Sequence, residues 1–239
     1  MSSDWRAARD IALFRLEHEK SPAVRAEAVD ALCDLAAEVA QDLRAEFAPA
    51  VVRLLADAQA EVRCGGLSLA ALILPAEEAE PLLIRHLAEP EARMRVEATG
   101  RLADLARPSS RGAFAQALQD QSPAVRFEAA RGMAGLKHSA GLEVLVEALE
   151  DPELRFRAVS AIAELGDPAA LPALRKVFGR WFLPVFDRTQ VAAALVKLGD
   201  PAGAAHLFKR AARRWGEDRA MAIELLGEVR PAGARARLE

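Results

Sequence analysis

One five-residue phrase, Ser-Pro-Ala-Val-Arg, occurs twice in identical form, at 21–25 and at 122–126. Looser copies end at Arg63, Arg95 and Arg155, and a helical run rich in alanine follows each of them. A phrase that returns at near-constant spacing is typical of a chain built from stacked repeats, each of which buries its apolar face against its neighbours. This repeat limits the possible folds more than any other feature of the chain.

The repeat extends along the chain when each copy is aligned on its arginine. Seven copies then follow one another at spacings of 38, 32, 31, 29, 33 and 31 residues. The positions three, seven and ten residues after each arginine are small or apolar, and these offsets share one stripe of an α-helix. We therefore predict a helix, named here helix B, at each copy and another, helix A, before it. The seven anchoring arginines are Arg25, Arg63, Arg95, Arg126, Arg155, Arg188 and Arg219.

Proline and glycine mark the junctions between these helices, as in the Gly-Asp-Pro sequences at 166–168 and 199–201. No segment shows the sustained alternation of apolar and polar residues that strands need. The patterns predict an all-α fold, an α-solenoid or superhelical array of about seven helix-turn-helix repeats in a single domain. The predicted repeats are 4–40, 45–75, 77–107, 110–138, 140–166, 168–199 and 201–230, with a tail at 231–239.

A helix A, a Pro/Asp turn and then Val-Arg-x-x-Ala-x-x-x-Leu on helix B resembles the HEAT repeat. The short period and the phrase Leu-Gly-Asp-Pro-Ala-Ala-Leu-Pro-Ala-Leu at 165–174 resemble the bacterial HEAT-like class named after phycobilin lyases. The resemblance covers nearly the whole chain. It implies an α-solenoid with the A helices on its convex side and the B helices on its concave side.

The resemblance also implies a structural role for the repeated arginine, which would join neighbouring repeats in a ladder with acidic residues of the turns. Asp57, Asp120 and Asp151 precede three of the arginines and are the expected acidic residues. Asp187 and Asp218 replace the apolar residue before the last two arginines, so we expect those two B helices to begin differently.

The residue groupings that common catalytic sites need do not occur. HEAT-type deoxyhypusine hydroxylases hold two irons through several His-Glu pairs, and His18-Glu19 is the one such pair in this sequence. Cys33 and Cys64 fall on B-helix positions, and we interpret them as packing residues rather than nucleophiles. We predict no catalytic residue, no cofactor and no metal site. The absence of a signal-peptide pattern or a long apolar run leads us to expect a cytoplasmic protein without membrane insertion.

The solvent columns of the B helices, at offsets two, five and nine, predict a groove that is acidic in its first half. Because such a groove repels phosphate, we expect no nucleic acid and favour a protein partner with a basic or amphipathic segment. The candidate groove residues are Glu27, Asp30, Asp34, Glu97, Asp104, Glu128 and Arg131.

An aromatic segment at 178–186 stands where other repeats have a tight turn. It holds four of the chain's twelve aromatic residues. Two interpretations stay open: the segment closes the core at the edge of the array, or it is an exposed anchor for a partner. A basic run at 209–214 before Trp215 is a second contact or a solvated helix face. The candidate contact residues of the segment are Phe178, Arg180, Trp181, Phe182 and Phe186.

These observations favour a non-catalytic protein-binding scaffold or regulatory adaptor. The resemblance keeps two alternatives open. One is a phycobilin-lyase-like enzyme or chaperone that binds a tetrapyrrole in its groove, and the other is a HEAT-like nucleic-acid-binding protein similar to the HEAT-like DNA glycosylases.

Overall fold

The computed structural model describes residues 4–231. This part of the chain consists of α-helices and short 3-10 helices and holds no strand, which confirms the predicted all-α solenoid. The predicted tail lies outside the described residues except for Pro231. The α-helices within residues 4–231 are α1 (Asp4–His18), α2 (Pro22–Glu38), α3 (Ala48–Leu55), α4 (Ala60–Ile73), α5 (Ala76–Arg85), α6 (Ala92–Leu105), α7 (Arg111–Ala117), α8 (Pro123–Gly135), α9 (Leu142–Ala148), α10 (Arg155–Leu165), α11 (Leu171–Phe178), α12 (Val185–Lys197), α13 (Pro201–Ala211) and α14 (Glu217–Val229).

Odd-numbered helices take the place of helix A and even-numbered helices that of helix B. The chain forms two compact units, one up to Gly132 and one from Met133 onward, and the division falls inside α8. The single domain and the repeat boundaries stay predictions. No helix within the described residues is long and apolar enough to cross a membrane.

Proline, aspartate and glycine fix where helices begin and end. Pro22 and Pro201 are the first residues of α2 and α13, where the missing N–H costs no helical hydrogen bond. Asp200 caps α13, since its side chain accepts the backbone N–H of Ala202 at 2.9 Å. Gly199 precedes this cap at a φ of 86°, a left-handed conformation that glycine adopts without a Cβ clash. These local signals in the sequence therefore place the turn between α12 and α13.

The stripe of helix B forms the core of each unit. The residue seven positions after each anchoring arginine is at most 1% exposed. Small residues allow the helices to approach closely: at Gly203 in α13 an added Cβ would lie only 2.1 Å from the carbonyl oxygen of Ala192 in α12. The buried residues at offset seven are Leu32, Ala70 and Leu102 in the first unit and Met133, Ile162, Leu195 and Leu226 in the second.

The anchoring arginine of α6 binds two turns at once. Arg95 donates from Nη1 to the carbonyl oxygens of Glu89 and Pro90, both at 2.9 Å, in the turn before its own helix. It also donates from Nε and Nη2 to both carboxylate oxygens of Asp120, at 2.8 and 2.9 Å, in the turn before α8. One guanidinium thus closes its own turn and ties it to the next repeat through a bidentate, charge-assisted pair.

The same bridge recurs at other anchoring arginines. In the first unit Arg25 pairs with Asp57 and Arg63 with Glu91, the second at 2.8 Å. In the second unit Arg155 pairs with Asp187 at 2.9 Å, so the residue expected to alter the start of α12 accepts this bond instead.

The remaining expected members of the ladder make other contacts. Asp151 accepts the backbone N–H of Glu153 in its own turn at 2.8 Å. Arg126 donates to the carbonyl oxygens of Asp120 and Gln121, at 2.8 and 3.1 Å. Arg219 lies in the first turn of α14, where its backbone N–H donates to the carbonyl oxygen of residue 216.

Replacing Asp120 by Asn tests the stabilising effect of one ladder contact. The hydrogen bond from Arg95 lowers the pKa of Asp120, so its contribution is complete above the unfolded pKa of about 3.9 and is lost as the pH falls through the folded value. We expect Asp120→Asn to lower the free energy of unfolding by about 1–3 kcal/mol at neutral pH and to flatten its decline below about pH 5. Urea unfolding followed by circular dichroism at several pH values measures both effects.

The matched control is Glu61→Gln. Glu61 accepts a bond of 2.7 Å from Arg93, but both side chains are about half exposed, at 49% and 60%. An exposed pair of this kind contributes less than about 1 kcal/mol. Equal losses from the two variants would contradict a special role for the ladder.

Candidate functional site

The segment 178–186 is held at both ends and displays its middle. Phe178, the last residue of α11, is half-buried and meets the ring of His206 edge-to-face, with 5.3 Å between centroids. Leu183 is only 8% exposed. Between them Trp181 and Phe182 are 87% and 91% exposed. Both interpretations from the sequence therefore apply to parts of the segment: its ends close the core of the second unit and its middle projects into solvent.

Hydrogen bonds fix the turn that carries the two exposed rings. This aromatic turn comprises residues 179–184, between α11 and α12. Arg188 of α12 donates to the carbonyl oxygens of Arg180 and Trp181. Arg180 itself pairs with Glu150. The turn thus holds large apolar side chains in solvent on a fixed backbone, and the first turn of α12 adds Phe186, which is 50% exposed.

A cleft lined with basic residues lies beside the aromatic turn. It has a volume of about 390 Å³ and is bounded by Trp181, Leu183, Val185 and Arg188 on one side and by α13 on the other. We call this the basic cleft. The basic run was visible in the sequence, but its contact with the aromatic turn was not, because no pattern of residue types links two segments so far apart. The residues of α13 and the following turn that line the cleft are His206, Lys209, Arg210 and Arg213.

The predicted acidic groove divides into two parts in the first unit. On α2, Glu27, Asp30 and Asp34 are exposed, and their carboxylates form no ion pair within the described residues. They form a row one helical turn apart, which we call the acidic strip. The strip is free to attract a basic group.

The other groove carboxylates are neutralised by two arginines. Arg101 binds Glu97 at 2.7 Å and Asp104 at 3.4 Å. Arg131 binds Asp104 and Glu128, each at 2.9 Å, and also donates to the carbonyl oxygen of residue 100. These side chains therefore hold α6 and α8 together within the first unit, and the groove is less acidic than its residue columns predict.

Both thiols are unreactive in character. Burial raises the pKa of Cys33 to about 11, and the nearby carboxylate of Asp30 adds to the shift. Burial also raises the pKa of Cys64, whose Sγ lies 3.6 Å from Sδ of Met94. A thiol with a raised pKa carries little thiolate at neutral pH, and the thiolate is the nucleophile. Within residues 4–231, no group of three or more His, Cys, Asp or Glu side chains could hold a metal ion.

A hollow of about 650 Å³ on the B-helix face of the second unit was not foreseen from the sequence. It lies between α10, α12 and α14 and is lined by apolar residues such as Val159 and Leu225. Gln190 lies at its edge, 8% exposed, and donates from Nε2 to the carbonyl oxygen of Phe156 and to Oγ of Ser160 at 3.0 and 2.8 Å. The offsets identify which residues share this face, but the spacing between helices that opens the hollow depends on packing.

Comparison with known proteins supports one family. The HEAT-repeat family matches residues 111–180, and helices in the same alternation extend on both sides of that stretch. It is a HEAT-repeat protein. A search of curated proteins finds no match to the sequence.

Solved structures share the fold of this HEAT-repeat protein. The Escherichia coli protein YibA is 24% identical, with a TM-score of 0.53 over 81% of this chain and 67% of its own. An engineered protein is 20% identical, with a TM-score of 0.50 over 98% of this chain and 76% of its own. At these identities the likeness concerns the fold alone. Human deoxyhypusine hydroxylase in complex with glycerol is 18% identical, over 94% of this chain and 88% of its own, with a TM-score of 0.38, too low to carry an argument about activity.

The exposure of the aromatic turn predicts a separation between display and stability. Trp181→Ala combined with Phe182→Ala should leave the melting temperature within about 2 °C of the wild-type value, because both rings are in solvent. Leu183→Ala, two atoms of chain chemistry away but buried, should lower the free energy of unfolding by about 2–4 kcal/mol. Thermal unfolding of the three proteins makes the comparison. A large loss in the double variant would show that the rings belong to the core.

Proposed function

We propose that this HEAT-repeat protein is a non-catalytic protein-binding scaffold or adaptor that engages its partner through the aromatic turn. The observation that carries the proposal is the display of Trp181 and Phe182, 87% and 91% exposed, on a turn fixed by Arg188. Exposed aromatic rings of this size mark interaction surfaces, and tryptophan is enriched among the residues that dominate binding energy. A fixed turn also lowers the entropy cost of ordering those rings on binding.

The acidic strip is a second proposed contact, for the basic or amphipathic segment expected from the sequence. Glu27, Asp30 and Asp34 are exposed and keep their charges free of internal partners within the described residues. Glu97, Asp104 and Glu128 are poorer candidates for this contact because Arg101 and Arg131 already bind them.

Neither alternative gains comparable support. A tetrapyrrole site would use aromatic, histidine and acidic groups, whereas the described lining of the hollow in the second unit holds Phe156 as its one aromatic residue and no histidine. A nucleic-acid groove would need a continuous basic face, and the B-helix face of the first unit carries the acidic strip. A cytoplasmic location stays a prediction.

Affinity purification with matched baits tests the role of the aromatic turn. We expect wild-type protein to retain a stoichiometric partner from a lysate of its native host, and Trp181→Ala with Phe182→Ala to reduce recovery at least about tenfold, since hot-spot truncations cost about 2 kcal/mol or more each. Quantitative mass spectrometry of the eluates measures recovery. The control bait is Val52→Ala, which removes another apolar side chain, 71% exposed, from α3. Equal recovery with all three baits would remove the aromatic turn from the contact.

Charge reversal tests the acidic strip with the partner recovered in that experiment. Glu27→Lys, Asp30→Lys and Asp34→Lys together should weaken binding, with the larger effect at low salt because exposed charges are screened at high salt. The control carries the same change of charge at Glu143, Glu147 and Glu153, which are exposed in the second unit. Dissociation constants from biolayer interferometry at low and high salt decide the matter. An equal loss in both triple variants would mean that net charge, and not the strip, attracts the partner.

A further inference from the structure

The basic cleft combines an apolar wall with a wall of cations. Trp181, Leu183 and Val185 form the apolar side, and α13 with its following turn supplies Lys209 and Arg213 opposite. None of the described residues that line the cleft carries a carboxylate. A ligand that fills it must therefore present both an apolar group and negative charge.

The cations of the cleft differ from other basic residues of the second unit. Lys176 pairs with Glu150 at 3.2 Å and Lys197 with Glu228 at 2.7 Å. By contrast, Lys209 and Arg213 form no ion pair within the described residues. Their charge is confined to a cleft whose low-dielectric walls strengthen its attraction for an anion.

Arg188 shows which kind of anion fits. Arg155, one repeat earlier, donates to the carbonyl oxygens of its own turn and also to the carboxylate of Asp187. Arg188 makes the same contacts to its own turn, at Arg180 and Trp181, but binds no carboxylate among the side chains that the structure describes. Its guanidinium lines the cleft instead. The site thus has the donor that receives a carboxylate at the preceding repeat, with the carboxylate missing.

The surroundings of the cleft favour a peptide over a nucleic acid. A phosphate backbone needs a stripe of cations along its path, but carboxylates of Asp187 and Asp200 lie close by in sequence to Arg188 and to α13 and are committed to Arg155 and Arg175. A volume of about 390 Å³ suits a few residues of an extended chain.

We propose that the basic cleft binds an acidic protein segment whose carboxylate joins Arg188 while a neighbouring apolar side chain packs on Trp181. The partner completes the arginine ladder at the sixth repeat in the way that Asp187 completes it at the fifth. This inference rests on the proposed function, since it gives the chemistry of the partner at the same surface.

A synthetic probe tests the inference without knowledge of the natural partner. The probe is a fluorescein-labelled peptide of alternating Glu and Leu, and its uncharged counterpart has Gln in place of Glu. Fluorescence anisotropy against the full chain should show binding of the Glu peptide that weakens from about 50 mM to about 300 mM NaCl. The Gln peptide and a labelled oligothymidylate should bind at least about tenfold more weakly, a difference of about 1.4 kcal/mol.

Two charge-reversed variants locate the binding. Lys209→Glu with Arg213→Glu should reduce affinity for the Glu peptide at least about tenfold. Lys20→Glu with Arg111→Glu changes net charge equally at exposed positions of the first unit and should stay within about twofold of wild type. Thermal unfolding checks that both variants fold. Equal losses in the two variants, equal affinity for the Gln peptide, tighter binding of the oligothymidylate or no binding of the Glu peptide would each overturn the proposal.

The failure of this inference is distinguishable from the failure of the proposed function. If the aromatic turn is required for the purified partner but the Glu peptide does not bind, the scaffold function stands and the acidic chemistry falls. If the Glu peptide binds at the cleft but no partner depends on Trp181 and Phe182, the cleft stands and the role of the aromatic turn falls.

Discussion

The structure depends on an arginine that serves two turns. An isolated helix pair of this kind cannot bury its apolar stripe, so its stability comes from contact with its neighbours. Arg95 makes that contact specific: it binds carbonyl oxygens of its own turn and both carboxylate oxygens of Asp120 in the next. Turn carbonyls would otherwise lack partners, and the next repeat could slide along the stripe. One guanidinium removes both problems because its planar donors point in fixed directions.

The same device explains why the sixth repeat differs from the others. There the arginine is present and its bonds to the own-turn carbonyls are made, but the turn is rebuilt to carry exposed rings, and the neighbouring helix brings further cations rather than a described carboxylate. A structural position has become a surface with unused donors. Repeat proteins can change one unit in this way because each repeat contacts only its neighbours, so a local change costs little elsewhere.

Exposure and charge divide the candidate residues in ways that residue type does not. Glu97 and Glu128 share helix columns with Glu27, yet arginines reach the first two and none within the described residues reaches the third. Phe178 and Phe182 lie in one aromatic segment, yet one packs on His206 and the other is 91% exposed. Column offsets report only the direction in which a side chain leaves its helix. Whether a partner lies in that direction depends on the length and rotation of the adjacent helix.

The sequence by itself determined the repeat, the alternation of helices, the buried stripe and the class of fold. It could do so because these follow from contacts that are local or recur at a fixed spacing: Pro22 starts a helix, Gly199 ends one, and Leu32 and its equivalents fall on one stripe. Only the tertiary structure decided that the aromatic turn is displayed, that the acidic groove is partly neutralised and that the basic run faces Trp181 across a cleft. Those features depend on side chains 25 or more residues apart meeting in space. Their meeting is set by how closely small residues such as Gly203 let neighbouring helices approach, a distance that no single segment encodes.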